Sequence, residues 1–188
     1  MELVDLYDEN RAPLGKTAER YGKKGPGEYR TVVHVCLFDS QGRLLIQKRT
    51  AGKRVWPEGW DVSVGGGVDA GETSRQGAER EFREELGYPL DLTGLRPSIT
   101  VNFGGGFDDF YIVVKDLDET ALVLQEEEVS AVRWVTMEEL LAMVDDGNQE
   151  ALIYTSDQGT YDTQHECALM MGWAPEKIHV VNALVGGG

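Results

Sequence analysis

The sequence predicts an α/β or α+β sandwich, built as a single domain with modest extensions. Short β-branched and apolar segments precede, interrupt and follow one clear amphipathic helix, an order that favours a sheet with helices packed on it. The length of 188 residues fits one domain of ordinary size. With 41% hydrophobic and 27% charged residues, the composition is that of a globular protein rather than a disordered one.

The first elements are a hairpin and a linker. Residues 3–15 read as two strands joined by a turn at Glu9 and Asn10. The polar, glycine-rich residues 21–27 then connect this hairpin to the rest of the chain.

The next strands lie before a run of glycines. Residues 31–38 are β-branched and apolar, which predicts a buried strand, and the turn residues 39–42 lead into a second strand at 43–48. A third strand is expected at 61–64, ending at the glycines of 65–67.

The clearest helix is predicted at residues 73–86. Thr73 and Gln76 fit the capping-box pattern at its start, and Gly87 stands where a left-handed cap is wanted at its end. Apolar side chains recur every four residues on one side of this helix and predict a stripe that faces the core: Ala78, Phe82 and Leu86.

The remaining elements complete the sandwich. Further strands are expected at 98–103, 110–115 and 129–135, and helices at 137–144 and 162–171. We therefore divide the chain into an N-terminal hairpin and linker, a main domain and a C-terminal helical extension, at residues 1–27, 28–145 and 146–188. The hairpin or the helix at 162–171 is expected to supply a homodimer contact, although that helix would serve equally well as a local lid.

Charge and cysteine content narrow the function classes. The net charge of −15 argues against nucleic acid as a partner. No apolar run reaches the roughly 18 residues of a membrane span, and the N-terminus lacks the pattern of a signal peptide. Only two cysteines, Cys36 and Cys167, are present, and their spacing matches no zinc site. A reducing, cytoplasmic location is the simplest interpretation.

Three carboxylates on the main helix point to a cation. The spacing of Glu81, Glu84 and Glu85 places them on one helix face, where like charges repel one another unless something neutralises them. Mg²⁺ does so naturally, since it takes carboxylate oxygens together with water and substrate phosphates. A solvated acidic face is the ordinary alternative for such a helix.

The wider motif decides between these two interpretations. Gly66 is followed after five residues by Glu72, and after seven more by Arg80-Glu81-Phe82-Arg83-Glu84-Glu85-Leu86-Gly87-Tyr88. This pattern matches the Nudix box at every specified position, and the chain therefore resembles a Nudix hydrolase over about residues 28–144.

The resemblance implies a fold, a cofactor and a reaction. The fold is an α/β/α sandwich around a mixed sheet, and the box carries Mg²⁺ or Mn²⁺. By resemblance, Glu81, Glu84 and Glu85 are the metal ligands, Arg80 orients them, and Glu72 supports the helix together with the cap at Gly87. The reaction implied is attack of water on the diphosphate linkage of a small substrate, typically a nucleoside diphosphate joined to another group.

The general base differs among members of the family. Glu84 is one candidate, because it lies within the box. The acidic run before the strand at 129–135 offers another, with Glu128 as the first choice and Glu127 close behind. A solvated loop explains this run equally well.

The substrate-binding residues are expected among the cations and glycines that precede the helix. Lys48 and Arg49 end the second strand, and Lys53 and Arg54 follow, so that four cations are available for phosphate oxygens. Gly65 and Gly66 would let backbone amides approach a phosphate closely. A solvated turn would also account for the cations. His34 and Cys36 are expected to be structural.

Proteins related to the Nudix hydrolases suggest two alternative functions. The N-terminal pattern and residues 44–49 resemble the Nudix branch related to isopentenyl-diphosphate isomerase, which moves a double bond by protonation and deprotonation. Such isomerases use a cysteine where this chain has Ser63, and a hydroxyl is a far weaker acid than a thiol. A non-enzymatic nucleotide or RNA sensor would fit a degenerate box and a basic surface, and this chain has neither.

Overall fold

The computed structural model describes residues 2–53 and 56–144, together with the strands at 151–155 and 178–182. The chain divides into two compact units, residues 1–137 and 138–188. The candidate site belongs entirely to the first unit.

The N-terminal hairpin forms as predicted. Strands β1 (Leu3–Tyr7) and β2 (Pro13–Glu19) pair antiparallel. Val4 and Leu6 are buried, and a backbone bridge between Tyr7 and Tyr29 ties the hairpin to the start of the main sheet. The hairpin thus packs as part of the first unit.

The main sheet has seven strands and is mixed, as predicted. Its central path runs β5-β4-β3-β8-β7, with β6 beside β3 and β9 beside β4. The β3–β8 pair is parallel and the other pairs are antiparallel. The strands are β3 (Arg30–Phe38), β4 (Leu44–Arg49), β5 (Trp60–Asp61), β6 (Val64–Gly67), β7 (Ile99–Phe103), β8 (Gly106–Val114) and β9 (Val129–Val135).

Helix α1 (Ser74–Leu86) packs against β3 and β6. Its apolar stripe is buried as predicted and joins a core formed with β3, β4 and β8, which includes Val33, Val35, Leu45 and Tyr111. The capping box between Thr73 and Gln76 is present, and Gly87 closes the helix with a left-handed φ of 66°. Both predicted caps are confirmed.

The expected third strand is divided in two. Ser63 is fully buried between β5 and β6, where its hydroxyl donates to the carbonyl of Leu45 at 2.6 Å and accepts the backbone N–H of Leu37 at 2.8 Å. The side chain thus bridges β3 and β4 where the ladder is interrupted. The glycines expected to follow the strand lie within β6, where Gly65, Gly66 and Gly67 are paired with β3.

The later elements include a short 3-10 turn (Glu119–Ala121) and helix α2 (Met137–Val144), which has the predicted bounds. In the C-terminal segment, strands β10 (Ala151–Thr155) and β11 (Ile178–Asn182) pair in parallel, a feature that sequence reasoning did not predict. The helix expected at 162–171 lies outside the described residues. Within the described part of the chain, no helix is long and apolar enough to cross a membrane.

Candidate active site

The three box carboxylates have different environments on α1. The side chains of Glu81 and Glu85 are buried, whereas that of Glu84 is 49% exposed. This difference follows from the helix geometry, since positions 81 and 85 share the side that faces the sheet and position 84 is turned toward solvent.

Arg80 connects the helix to the loop before it. Its Nε donates to Glu72 Oε1 at 2.9 Å, and its Nη2 donates to the carbonyl of Gly67 at 2.8 Å. Its Nη1 lies 3.0 Å from Glu81 Oε1 and 3.2 Å from Glu84 Oε2. Its Nη2 also lies 3.6 Å from Asp69 Oδ2, so the guanidinium holds two carboxylates from the loop and two from the helix in a fixed arrangement.

The glycines of β6 make room for buried side chains. A Cβ at Gly66 would lie 2.2 Å from Glu81 Cδ, and one at Gly65 would lie 2.6 Å from His34 Cδ2. Sequence reasoning missed this packing role, because it depends on which strand lies beside α1. The predicted contact of Gly65 and Gly66 with a phosphate stays a prediction.

Burial sets the protonation of the two inner carboxylates. Desolvation raises the pKa of Glu85 to about 7, partly offset by the hydrogen bond that Gln47 Nε2 donates to it at 3.0 Å. Desolvation also raises the pKa of Glu81, against the lowering effect of Arg80 and Arg20. A buried carboxylate is thus costly to ionise here without more positive charge.

A cavity of about 810 Å³ gathers most of the predicted site residues. These are Arg49, Gly65, Arg80, Glu81, Glu84, Glu85 and Glu128. Lys48, Gly66, Glu72 and Gly87 are not among its described lining residues: Glu72 and Gly87 lie behind the site, where they hold Arg80 and close α1.

Cations in the cavity are paired with carboxylates. Arg49 Nη1 lies 3.4 Å from Asp61 Oδ2, and Lys53 Nζ contacts Glu128 Oε2. Arg20, which the sequence analysis did not select, donates to Glu2 Oε2 at 2.9 Å and lies 4.0 Å from Glu81 Oε1.

Tyr21, beside Arg20 in the sequence, also lines the cavity. No local pattern in the sequence marks Arg20 and Tyr21, because they belong to the hairpin and linker and reach the site only through the docking of β1 and β2.

The donor atoms of these residues suit a divalent cation, but the described side chains are not already arranged as a metal-binding cluster. No three of the described His, Cys, Asp and Glu side chains are arranged to hold a metal ion together. Glu81 and Glu84 instead form ion pairs with Arg80. However, the buried Glu81 Oε1 accepts no hydrogen bond from the described residues, despite its ion pair with Arg80. An oxygen-only donor set with an unsatisfied buried carboxylate oxygen suits Mg²⁺ or Mn²⁺.

Other reactive side chains near the sheet have structural contacts. Both hydrogen-bonding positions of Ser63 are used by the backbone, as described above. Burial raises the pKa of the Cys36 thiol to about 11, so this cysteine is not activated. His34 Nδ1 lies 2.7 Å from Asp108 Oδ1, and its ring stacks on Phe110.

Comparison with known proteins identifies a family. The family model for the NUDIX domain matches residues 28–155. An uncharacterized Nudix hydrolase of Listeria monocytogenes is 49% identical over 147 residues, which cover 78% of this chain and 87% of the relative. An isopentenyl-diphosphate Delta-isomerase of Streptomyces griseus is 32% identical over 143 residues, which cover 73% of each protein.

A solved structure agrees with these relationships. The crystal structure of a Deinococcus radiodurans protein matches this chain with a TM-score of 0.64 and 31% sequence identity. The match covers 78% of this chain and 90% of that one.

Proposed function

Since the chain belongs to the Nudix family of hydrolases, which act on diphosphate bonds, we propose that it cleaves the diphosphate linkage of a small polar compound with the help of Mg²⁺ or Mn²⁺. The observation that carries the proposal is the cavity, in which the three box carboxylates, Arg80 and two cations of the β4–β5 region line one space. Anion-binding and cation-binding groups together suit a phosphate substrate bound with a metal ion.

Glu81, Glu84 and Glu85 are the residues proposed to hold the ion. Members of the family generally use a divalent metal, which neutralises phosphate oxygens and makes water more acidic when it is bound. In this chain, Glu81 offers a buried carboxylate that Arg80 contacts, and Glu84 offers an exposed one. Arg80, through Glu72 and the carbonyl of Gly67, holds the helix and the preceding loop together beside these carboxylates.

Glu128 is the proposed general base, with Glu84 and Glu127 as alternatives. All three side chains line the cavity. The carboxylate removes a proton from water as the water oxygen attacks phosphorus, the bridging P–O bond breaks, and the bonding electrons leave with the departing phosphate oxygen. Arg49, which lines the cavity, is proposed to neutralise charge on the substrate. The contribution of Lys48 to substrate binding stays a prediction, because it is not among the described residues of the cavity wall.

The cavity favours a polar group attached to the diphosphate over a prenyl chain. Its described lining residues include no aliphatic side chain; they are charged, amide or glycine residues, apart from the exposed ring of Tyr21. An isoprenyl chain would therefore gain little from burial of apolar surface there. A substrate such as a nucleoside diphosphate derivative fits better, and this feature disfavours the isomerase alternative.

The proposal is tested by a product-release assay against a panel of diphosphate compounds. The panel contains nucleotide sugars, ADP-ribose, dinucleotides, nucleoside triphosphates and isopentenyl diphosphate, each with and without Mg²⁺. We expect metal-dependent hydrolysis of at least one polar compound. Glu84→Gln should then lower kcat by about 100-fold or more, whereas Glu9→Gln, which alters an exposed turn residue outside the described cavity wall, should not.

Two outcomes would contradict the proposal. Conversion of isopentenyl diphosphate to its isomer without hydrolysis of any compound would support the isomerase alternative. Full activity of Glu84→Gln would show that the site is misplaced.

The cytoplasmic location and the homodimer stay proposals. Sedimentation of the whole protein at high concentration tests the homodimer: a monomer throughout the concentration range would exclude it.

A further inference from the structure

Glu128 and Glu127 line the same cavity and have similar sequence contexts, but their side chains differ in their contacts. Lys53 contacts the carboxylate of Glu128, and both side chains are mostly buried, with exposed fractions of 22% and 32%. We propose that Lys53 is a positioning residue that holds the Glu128 carboxylate inside the cavity, facing the box carboxylates. This inference rests on the proposed function, because it concerns the base of that reaction.

The backbone around Glu128 is fixed on both sides. The N–H of Gln125 donates to the carbonyl of Glu85 at the end of α1, at 3.0 Å, and the N–H of Glu128 donates to the carbonyl of Gln125 at 2.9 Å. On the other side, the N–H of Thr50 donates to the carbonyl of Glu128 at 3.2 Å. The turn carrying Glu128 is therefore attached both to the box helix and to the loop that follows β4.

The same loop carries Lys53. Thr50 Oγ1 donates to the carbonyl of Glu127 at 2.9 Å, and the N–H of Lys53 donates to the carbonyl of Thr50 at 3.3 Å. Lys53 and Glu128 are thus presented to each other from two segments that are hydrogen-bonded together. Because both backbone segments are fixed, only the Lys53 side chain has to be ordered for its ammonium group to reach the carboxylate of Glu128.

The electrostatics of the cavity explain why a cation is needed at this point. Among the residues that the structure describes, seven carboxylates line the cavity against four cations: Glu2, Asp69, Glu81, Glu84, Glu85, Glu127 and Glu128 against Arg20, Arg49, Lys53 and Arg80. Repulsion by the box carboxylates drives an unpaired Glu128 toward solvent. Arg80, Arg49 and Arg20 have carboxylate partners of their own, so the cation next to Glu128 is Lys53.

A positioning role differs from substrate binding in its kinetic effect. A base held in the wrong place slows the chemical step, which lowers kcat, whereas loss of a phosphate contact made equally in ground and transition states raises KM. If Lys53 acts only through Glu128, removing it should have no further effect once Glu128 has lost its carboxylate.

The test is a double-mutant cycle on the full chain, with the diphosphate compound found in the product-release assay. We expect Glu128→Gln to lower kcat about 100-fold, and Lys53→Met to lower kcat about 10-fold with KM changed less than twofold. The double variant should match Glu128→Gln alone, and Lys53→Arg should recover most of the activity. Lys16→Met, which removes an exposed lysine of β2, is the control and should match the wild-type protein.

Two results would overturn the role of Lys53. One is multiplication of the two single effects in the double variant, and the other is a rise in KM at unchanged kcat for Lys53→Met. Both results require a wild-type protein that is active. They are therefore distinguishable from failure of the proposed function, in which the wild-type protein itself would be inactive.

A second measurement does not depend on activity. In protein labelled with ¹⁵N-lysine, the Lys53 ammonium resonance, assigned by its loss in Lys53→Met, should shift in Glu128→Gln and exchange faster with water. An unchanged Lys53 resonance would show that the two side chains are not paired, and would overturn the inference whether or not the protein is active.

Discussion

Glu81 shows how single residues decide the chemistry of this site. Its carboxylate is buried in an ion pair with Arg80, and desolvation raises its pKa, so an added cation would favour its ionised form. Its position in turn depends on Gly66, which has no side chain to displace it. Both residues belong to the sequence motif, but their contact depends on the tertiary structure, in which β6 lies beside α1.

Gly66→Ala should therefore damage the site. The new Cβ would lie 2.2 Å from Glu81 Cδ, so Glu81 must move; we expect kcat to fall at least 10-fold and the free energy of unfolding to fall by about 1–3 kcal/mol. Kinetics and urea unfolding measure the two effects. Gly104→Ala is the matched control, because a Cβ there meets open space. Equal behaviour of the two variants would refute the packing role of Gly66.

His34 should make stability depend on pH. Burial lowers the pKa of His34, but the hydrogen bond and charge of Asp108, helped by Asp61 and Glu85, outweigh it and raise the pKa above 6.5. The folded state therefore binds this proton more tightly than the unfolded state. The contribution to stability is fully present below about pH 6.5 and is lost as the pH rises through the folded-state pKa.

The comparison of wild type with His34→Gln tests this effect. Urea unfolding at pH 5.5 should show a larger loss of stability in the variant than unfolding at pH 8.5. A difference that stays constant between the two pH values would mean that folding does not change the pKa of His34.

At the scale of elements, the N-terminal hairpin supports the box loop. The N–H of Ala70 donates to the carbonyl of Leu3 at 2.8 Å, and the N–H of Gly71 donates to Asp5 Oδ2 at 2.8 Å. The loop that leads into α1 is thus bound to β1. The hairpin was predicted, but its attachment to the box was not, because the two segments are more than 60 residues apart and no local pattern links them.

A partly buried ion pair fixes the other end of the hairpin. Arg11, held at a left-handed φ of 63°, donates to the fully buried Asp109, whose pKa is lowered because this pairing, with the hydrogen bond from Thr100, outweighs the effect of burial. Arg11→Ala would leave Asp109 with only the neutral hydroxyls of Ser74 and Thr100 among its described side-chain partners. We expect a loss of about 2 kcal/mol in the free energy of unfolding, since Arg11 itself is partly exposed.

Urea unfolding of Arg11→Ala at pH 7 measures this loss. Lys16→Ala, which breaks an exposed ion pair of the same hairpin, is the control and should unfold like the wild-type protein. An Arg11→Ala protein as stable as the control would mean that the bridge to Asp109 adds nothing.

The whole molecule carries an excess of negative charge. Residues 1–60 contain 11 basic and 8 acidic residues, and the remaining 128 contain 7 basic and 25 acidic ones. The cavity repeats this imbalance, with its cations coming from the N-terminal third and Arg80, and its carboxylates mostly from later segments. A divalent cation should therefore stabilise the folded protein as a whole.

We expect Mg²⁺ at millimolar concentration to raise the Tm, because an ion that binds only the folded state stabilises it by mass action. Calorimetry at matched ionic strength separates binding from screening. Glu81→Gln should reduce the Mg²⁺-dependent rise, whereas Glu9→Gln should leave it unchanged. A rise of the same size in all three proteins would reflect general screening of charge.

The sequence by itself determined the mixed α+β fold, the caps and buried stripe of α1, and the set of carboxylates with Arg80. Each of these depends on spacing within one element or on a motif of 23 residues, so local geometry suffices. Tertiary structure decided which residues share the cavity: Arg20 and Tyr21 from the hairpin and linker, and Lys53 beside Glu128. It also divided the third strand at Ser63 and gave Gly66 its packing role. These outcomes depend on strand register and on contacts between segments distant in the chain, which no local pattern specifies.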